Sequence, residues 1–210
     1  MKEDLFVTGT DTNIGKTVLC ALLVAALDAI YWKPIQTGVS EGTDRESVMR
    51  WAEVTEDSTL PECYRFDPPV SPHLAAAAAG VTIDLARIRR PPTDPGRHLV
   101  VEGAGGVLVP VNDSQSILDL ICQLAMPAVV ASRTAVGTIN HTTMTVHELR
   151  NAGASVKGVV MIGLENKDNE RSIERYAKVP VIGRVPWFGY IHRSELLRAF
   201  QNNFDQQYFT

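Results

Sequence analysis

The sequence predicts an α/β fold, a doubly wound and mostly parallel sheet in a single P-loop domain spanning residues 1–210. Three observations predict it. Short β-branched runs alternate with longer helical patterns along the chain. Several of those runs are apolar throughout, as expected of strands covered on both faces. The first run, Leu5-Phe6-Val7, leads into the loop Gly9-Thr10-Asp11-Thr12-Asn13-Ile14-Gly15-Lys16-Thr17 and then into a second apolar run, the strand–loop–helix order of a phosphate-binding unit.

Taken in order, the strands are expected at 5–8, 30–33, 98–102, 128–131, 156–162 and 181–185. The helices between and after them are expected at 16–29, 44–54, 72–79, 116–124, 138–152 and 169–177. Ligands in such sheets bind at the carboxyl ends of the strands. The unusual loops fall at those ends: 9–16 after the first strand, 34–38 after the second and 103–106 after the third. Residues 89–96, rich in Arg, Pro and Gly, read as a surface connector. The tail after residue 200 carries no strong signal, and no internal repeat is present.

Composition narrows the function classes. A net charge of −4 argues against a nucleic-acid binder with a broad basic face. No stretch is apolar and charge-free enough to span a bilayer, and residues 1–4 lack the shape of a signal peptide. The scattered Cys20, Cys63 and Cys122 form no Cys-x-x-Cys pair. Free thiols in a cytoplasmic enzyme are therefore expected, without structural zinc.

Chemistry-bearing residues cluster in the strand-end loops. In the first loop, glycines let backbone N–H groups crowd around phosphate oxygens at a helix N-terminus. Lys16 would reach the terminal phosphates, and the Thr17 hydroxyl would hold Mg²⁺. Five residues, rather than four, separate Gly9 from Gly15. Lys33 ends the second strand, as a solvated surface charge or as a second cation for phosphoryl transfer. Asp44 reads as a helix cap, a first-turn acid or a metal ligand. Glu102 ends the third strand, where P-loop ATPases carry metal-site carboxylates. The small residues after it, including Gly105, permit close backbone approach to a ligand.

Six segments occur in order: GTDTNIGKT (9–17), WKPIQTG (32–38), GTD (42–44), SPH (71–73), EGAGG (102–106) and GTINHT (137–142). Together they resemble dethiobiotin synthetase, an ATP-dependent cyclo-ligase of biotin synthesis whose P-loop carries the extra residue. The resemblance runs from about residue 5 to about residue 187 and is weak in the C-terminal part. It implies that 7,8-diaminononanoate takes up CO₂ to form a carbamate. The carbamate then attacks the γ-phosphate of ATP, and the second amine closes the ureido ring.

The same resemblance implies roles for particular residues. Lys16 and Lys33 would be catalytic. Thr12, Asn13, Ile14, Gly15, Lys16, Thr17, Val18 and Glu102 would contact nucleotide. Thr17, Asp44 and Glu102 would bind Mg²⁺. Thr12, Lys33, Thr37, Ser71, Pro72 and Gly105 would line the substrate path; Thr37 stands where many relatives have serine. Gly137, Thr138, Ile139 and Asn140 open a helix whose free N–H groups suit a carboxylate. In the family they come from the neighbouring subunit, which implies a homodimer. His141 reads as an ordinary helix residue, and Arg133 as a surface charge or a carboxylate guide. Many relatives also carry an Asn-Asp pair that reads adenine where this chain has Ile162-Gly163, so loose nucleotide choice is expected, with Asn166 as a nearby substitute.

Two other readings share the loop. A ParA/MinD-like switch carries an additional lysine early in the loop, and residues 9–14 contain none. A cobyrinate-type amide synthetase continues into a glutaminase domain, for which 210 residues leave no room.

Overall fold

A computed structural model describes residues 2–209. The chain opens with β1 (Leu5–Gly9), α1 (Lys16–Leu27), β2 (Ile30–Trp32), β3 (Ile35–Thr37), α2 (Asp44–Ala52), β4 (Thr59–Leu60), β5 (Tyr64–Phe66) and α3 (Pro72–Ala78). It continues with β6 (Leu99–Gly106), α4 (Ile117–Leu124), β7 (Ala128–Arg133), α5 (Thr138–Asn151), β8 (Val156–Ile162), α6 (Lys167–Ala177), β9 (Val181–Val185) and α7 (Arg193–Asn203). Seven strands form one parallel sheet in the order β4-β2-β6-β1-β7-β8-β9. The short strands β3 and β5 pair separately, also in parallel.

Alternation along each strand builds two cores, because successive side chains point to opposite faces. Phe6, Trp32, Val101, Val130 and Met161 face one side, with Leu120 of α4, Leu149 of α5 and Ile173 of α6. Leu5, Val7, Tyr31, Val100, Val129 and Val160 face the other, with Leu19, Leu22 and Leu23 of α1, Val48 of α2 and Leu196 of α7. The central helix α1 is apolar on nearly all sides, as a helix enclosed by a sheet and two other helices must be. It ends where Asp28 turns left-handed (φ 49°) and donates its N–H to Val24, two residues before the predicted boundary.

Three expectations change. Residues 34–38 are not wholly loop, since Ile35–Thr37 form β3 against β5. Strand β6 continues beyond Glu102 through Gly106, so the glycine-rich segment is strand rather than turn. Within it, Gly103 serves packing: a Cβ there would lie 2.9 Å from Phe6 Cε1. The third change is α7, which the sequence reading missed along with β4 and β5. Its Phe200 packs with Phe204 and Phe209 at centroid distances of 5.2 and 5.6 Å. Arg193 donates to the Ala52 carbonyl (2.9 Å) and the Ala25 carbonyl (3.3 Å), tying α7 to the C-terminal ends of α2 and α1, where a cation is favoured.

Candidate active site

The glycine loop joins the carboxyl end of β1 to the first turn of α1. Gly15 has φ 99°, and a Cβ there would meet Ile162 Cγ2 at 2.9 Å. Only glycine fits both constraints. No side chain caps α1 and its first turn carries no acid, so its N–H groups remain available to an anion. Lys16 is buried, and its ammonium donates to the Asp11 carbonyl at 2.9 Å. Burial lowers its pKa from the ordinary lysine value, with Glu102 opposing that shift. Arg133, at the end of β7, donates to Asp11 Oδ2 (3.2 Å) and the Thr12 carbonyl (3.1 Å). It braces the loop.

Beside Lys16 lies a buried charge cluster. Lys33 is no solvated surface charge: it is 7% exposed. Its ammonium pairs with Asp44 and lies 3.2 Å from Glu102 Oε1. The Thr17 hydroxyl is 3.0 Å from both Asp44 Oδ1 and Glu102 Oε1. Glu102 itself is 1% exposed, and Tyr31 donates its hydroxyl to Oε2 at 2.9 Å. Burial disfavours charge on Lys33, but Glu102 and Asp44 outweigh it and hold the pKa above the ordinary value. Burial likewise opposes charge on Asp44, yet Lys33 and hydrogen bonds from Lys33, Thr17 and Gln36 hold its pKa below the usual carboxylate range. Tyr31 and Cys20 are both pushed well up, first by burial and then by Glu102. Both stay protonated beside it.

Asp44 is a first-turn acid, and the cap is its neighbour. Thr43 Oγ1 accepts from the Glu46 N–H (3.1 Å), while Glu46 Oε2 accepts from the Thr43 N–H (2.7 Å). This reciprocal cap leaves the Asp44 carboxylate free to meet Lys33 and Thr17. Gln36 supports it by accepting from the Asp44 N–H at 3.2 Å.

These groups border a cavity of about 710 Å³ at the carboxyl edge of the sheet. Of the predicted residues, Thr12, Asn13, Gly15, Lys16, Thr17, Val18, Lys33, Thr37, Asp44, Ser71, Pro72, Glu102 and Gly105 line it. Ile14 turns away, buried, toward a second cavity of about 270 Å³ whose walls include Val18, Ile162, Trp187 and Phe188. Gly137, Thr138, Ile139 and Asn140 do not line the main cavity; they open α5. The Thr138 hydroxyl is taken up by Ser132 Oγ at 2.7 Å. A third cavity, about 360 Å³, lies between residues 106–110 and α5, includes His141, and shares Thr12 and Val109 with the first. Asn166 caps α6, its Oδ1 accepting from the Asn169 N–H at 3.0 Å. Tyr31, Gln36 and Thr43 were missed. Tyr31 was legible in one respect: it lies two positions before Lys33, on the same face of an extended chain.

Among the described residues, no three His, Cys, Asp or Glu side chains gather to hold a metal by themselves. Two carboxylates and a hydroxyl do gather at Thr17, an all-oxygen set. Mg²⁺ is commonly held by one or two carboxylates together with substrate phosphates. The residues therefore fit Mg²⁺ arriving with a nucleotide.

Comparison with known proteins identifies the family and the fold. A family model described as an AAA domain matches residues 3–194. The ATP-dependent dethiobiotin synthetase of Rhodopseudomonas palustris (strain HaA2) is 44% identical over 209 residues, covering 100% of this chain and 97% of its own. That of Nitrobacter hamburgensis is 46% identical over 204 residues, covering 97% and 95%. Among solved structures, a ParA family ATPase from Chlorobium tepidum superposes with a TM-score of 0.56 at 10% identity, covering 94% of this chain and 90% of that one. The MinD cell division protein of Aquifex aeolicus gives 0.52 at 14%, covering 94% and 87%. The structural neighbours establish the fold; identity sustained along the full chain establishes that this protein belongs to the ATP-dependent dethiobiotin synthetases.

Proposed function

We propose that this chain closes the ureido ring of dethiobiotin from 7,8-diaminononanoate, CO₂ and ATP. The observation that carries the reading is the convergence of Lys16, Lys33, Thr17, Asp44 and Glu102 on one cavity beside a glycine loop. A carbamate forms when one amine takes up CO₂. Its oxygen attacks the γ-phosphate, and the resulting carbamic-phosphoric anhydride is opened by the second amine with release of phosphate.

The difficult encounter is anion against anion. Lys16 offers charge at the terminal phosphates from the loop side. Lys33 approaches from β2 and exchanges its carboxylate partners for carbamate and phosphate oxygens. Thr17, Asp44 and Glu102 would hold Mg²⁺, which supplies further positive charge to the phosphates. Thr12, Thr37, Ser71, Pro72 and Gly105 border the space for the diamine. Its carboxylate is held by the α5 N-terminus, residues Gly137 to Asn140, of a second subunit. Two facts support that: these residues do not line their own cavity, and Met144 on the same helix is exposed. The base lies in the apolar cavity against Ile162 and Trp187.

Incubation with the diamine, bicarbonate, ATP and Mg²⁺ should yield the ureido product and one phosphate per turnover. ATP hydrolysis without that product overturns the reading. Lys16→Ala and Lys33→Ala, checked for fold by circular dichroism, should each lower kcat by roughly a hundredfold or more. Near-normal turnover in a folded Lys33→Ala protein would remove Lys33 from the mechanism.

Sedimentation at micromolar concentration should give about twice the 23.0 kDa chain mass. A monomer that keeps full activity on dilution contradicts a shared site.

The base cavity has mainly apolar walls, and Asn166 is not among them. Discrimination among ATP, CTP, GTP and UTP in kcat/KM should stay below about a hundredfold, the scale of shape selection alone. A preference of about 10⁴-fold, the scale of a side chain hydrogen-bonding the base, would show that such a reader exists.

A further inference from the structure

We propose that Tyr31 is a positioning residue for this reaction: its hydroxyl turns the Glu102 carboxylate so that one oxygen, Oε1, faces the cation site. The proposal rests on the reading above of Glu102 as a metal ligand and extends it to a residue outside the cavity. Tyr31 is fully buried on β2 and packs with the α1 side of the sheet. Its hydroxyl donates to Glu102 Oε2 at 2.9 Å. The other oxygen, Oε1, is the one near Thr17 Oγ1 (3.0 Å) and Lys33 Nζ (3.2 Å). The two oxygens thus face different ways: Oε1 toward the site and Oε2 toward Tyr31 in the core, where the Cys20 thiol also adjoins the carboxylate as a weak donor.

That division matters for a small cation. The terminal torsion of a glutamate is broad, so an untethered carboxylate rocks freely. Burial leaves no solvent to replace a lost partner at Oε2, which is then drawn toward the same cations as Oε1. Mg²⁺ demands near-ideal octahedral geometry and few protein ligands. A carboxylate locked by a hydrogen bond behind it presents one oxygen in one place. Hydrogen bonds of this kind, behind a metal ligand, commonly carry tenfold to a hundredfold in metal affinity.

The experiment uses the full chain and Mn²⁺ as a paramagnetic probe, titrated by electron paramagnetic resonance in the presence of AMP-PNP. Tyr31→Phe keeps the ring and removes only the hydroxyl. Its Mn²⁺ dissociation constant should rise by about 10- to 100-fold, while AMP-PNP affinity without divalent cation changes by no more than about twofold. In turnover, the Mg²⁺ needed for half-maximal rate should rise, and saturating Mg²⁺ should restore kcat. General damage to the fold would not be repaired by metal. Titrations are referred to the fraction of protein that binds AMP-PNP, so partial misfolding does not mimic the effect. Glu102→Gln serves as the control. If it weakens Mn²⁺ binding and Tyr31→Phe does not, the positioning role of Tyr31 is overturned. If neither variant weakens it, the assignment of Glu102 to the metal falls, and the proposal with it.

Discussion

Lys33 sits between two carboxylates, Asp44 and Glu102, and neither Lys33 nor Glu102 tolerates its buried position alone. Glu102 is almost wholly enclosed and Lys33 nearly so. Removing such ions from water costs several kcal/mol each, and only mutual attraction and full hydrogen bonding repay it. Thr17 and Tyr31 provide that hydrogen bonding to the carboxylates. In this arrangement the cation and its two anions satisfy one another.

Strand order is what allows the cluster to form. The sequence-distant β2 and β6 are neighbours, and β6 lies beside β1. Glu102 on β6 pairs with Val7 of β1, two residues before the glycine loop begins. Lys33 follows the last residue of β2, and α2 returns Asp44 over the same edge. Parallel strands place their carboxyl ends together, so residues separated by as many as 85 positions meet at Thr17. Thr43 contributes by capping α2 with its own side chain, leaving Asp44 available.

Most of this architecture was legible because its signals are local. The β1 loop, the apolar α1 and the buried strands of the large sheet follow from periodicity and glycine placement. The misses have physical causes. Strands β3, β4 and β5 span only two or three residues, too few for alternation to register. Helix α7 buries only Leu196, Ala199 and Phe200 in a segment otherwise rich in Arg, Gln and Asn, and Phe200 packs against Phe204 and Phe209 beyond the helix. The glycines of β6 suggested a loop, yet Gly103 leaves room where Phe6 packs, and a side chain at Gly106 would crowd the Gly9 carbonyl. At the site, Lys16, Lys33 and Glu102 declared themselves by position, whereas Tyr31 reads as an ordinary aromatic strand residue until its hydroxyl partner is known.

Unfolding free energy as a function of pH, for the ligand-free protein and for Lys33→Met, tests the charge cluster most directly. In the native protein the Asp44 pKa lies below its unfolded value, so its contribution is present above about pH 4 and is lost as pH falls through the depressed value. The Lys33 pKa lies above its unfolded value, so its contribution is present below about pH 10 and is lost only at strongly alkaline pH. Lys33→Met should cost about 3 kcal/mol at pH 7, because the buried Glu102 and the partly exposed Asp44 lose their cation. Asp44 would then lose the cation that holds its pKa down, so the variant should lose less stability than the native protein as pH falls below about 4. A Lys33→Met protein that follows the native pH profile at undiminished stability would contradict the account.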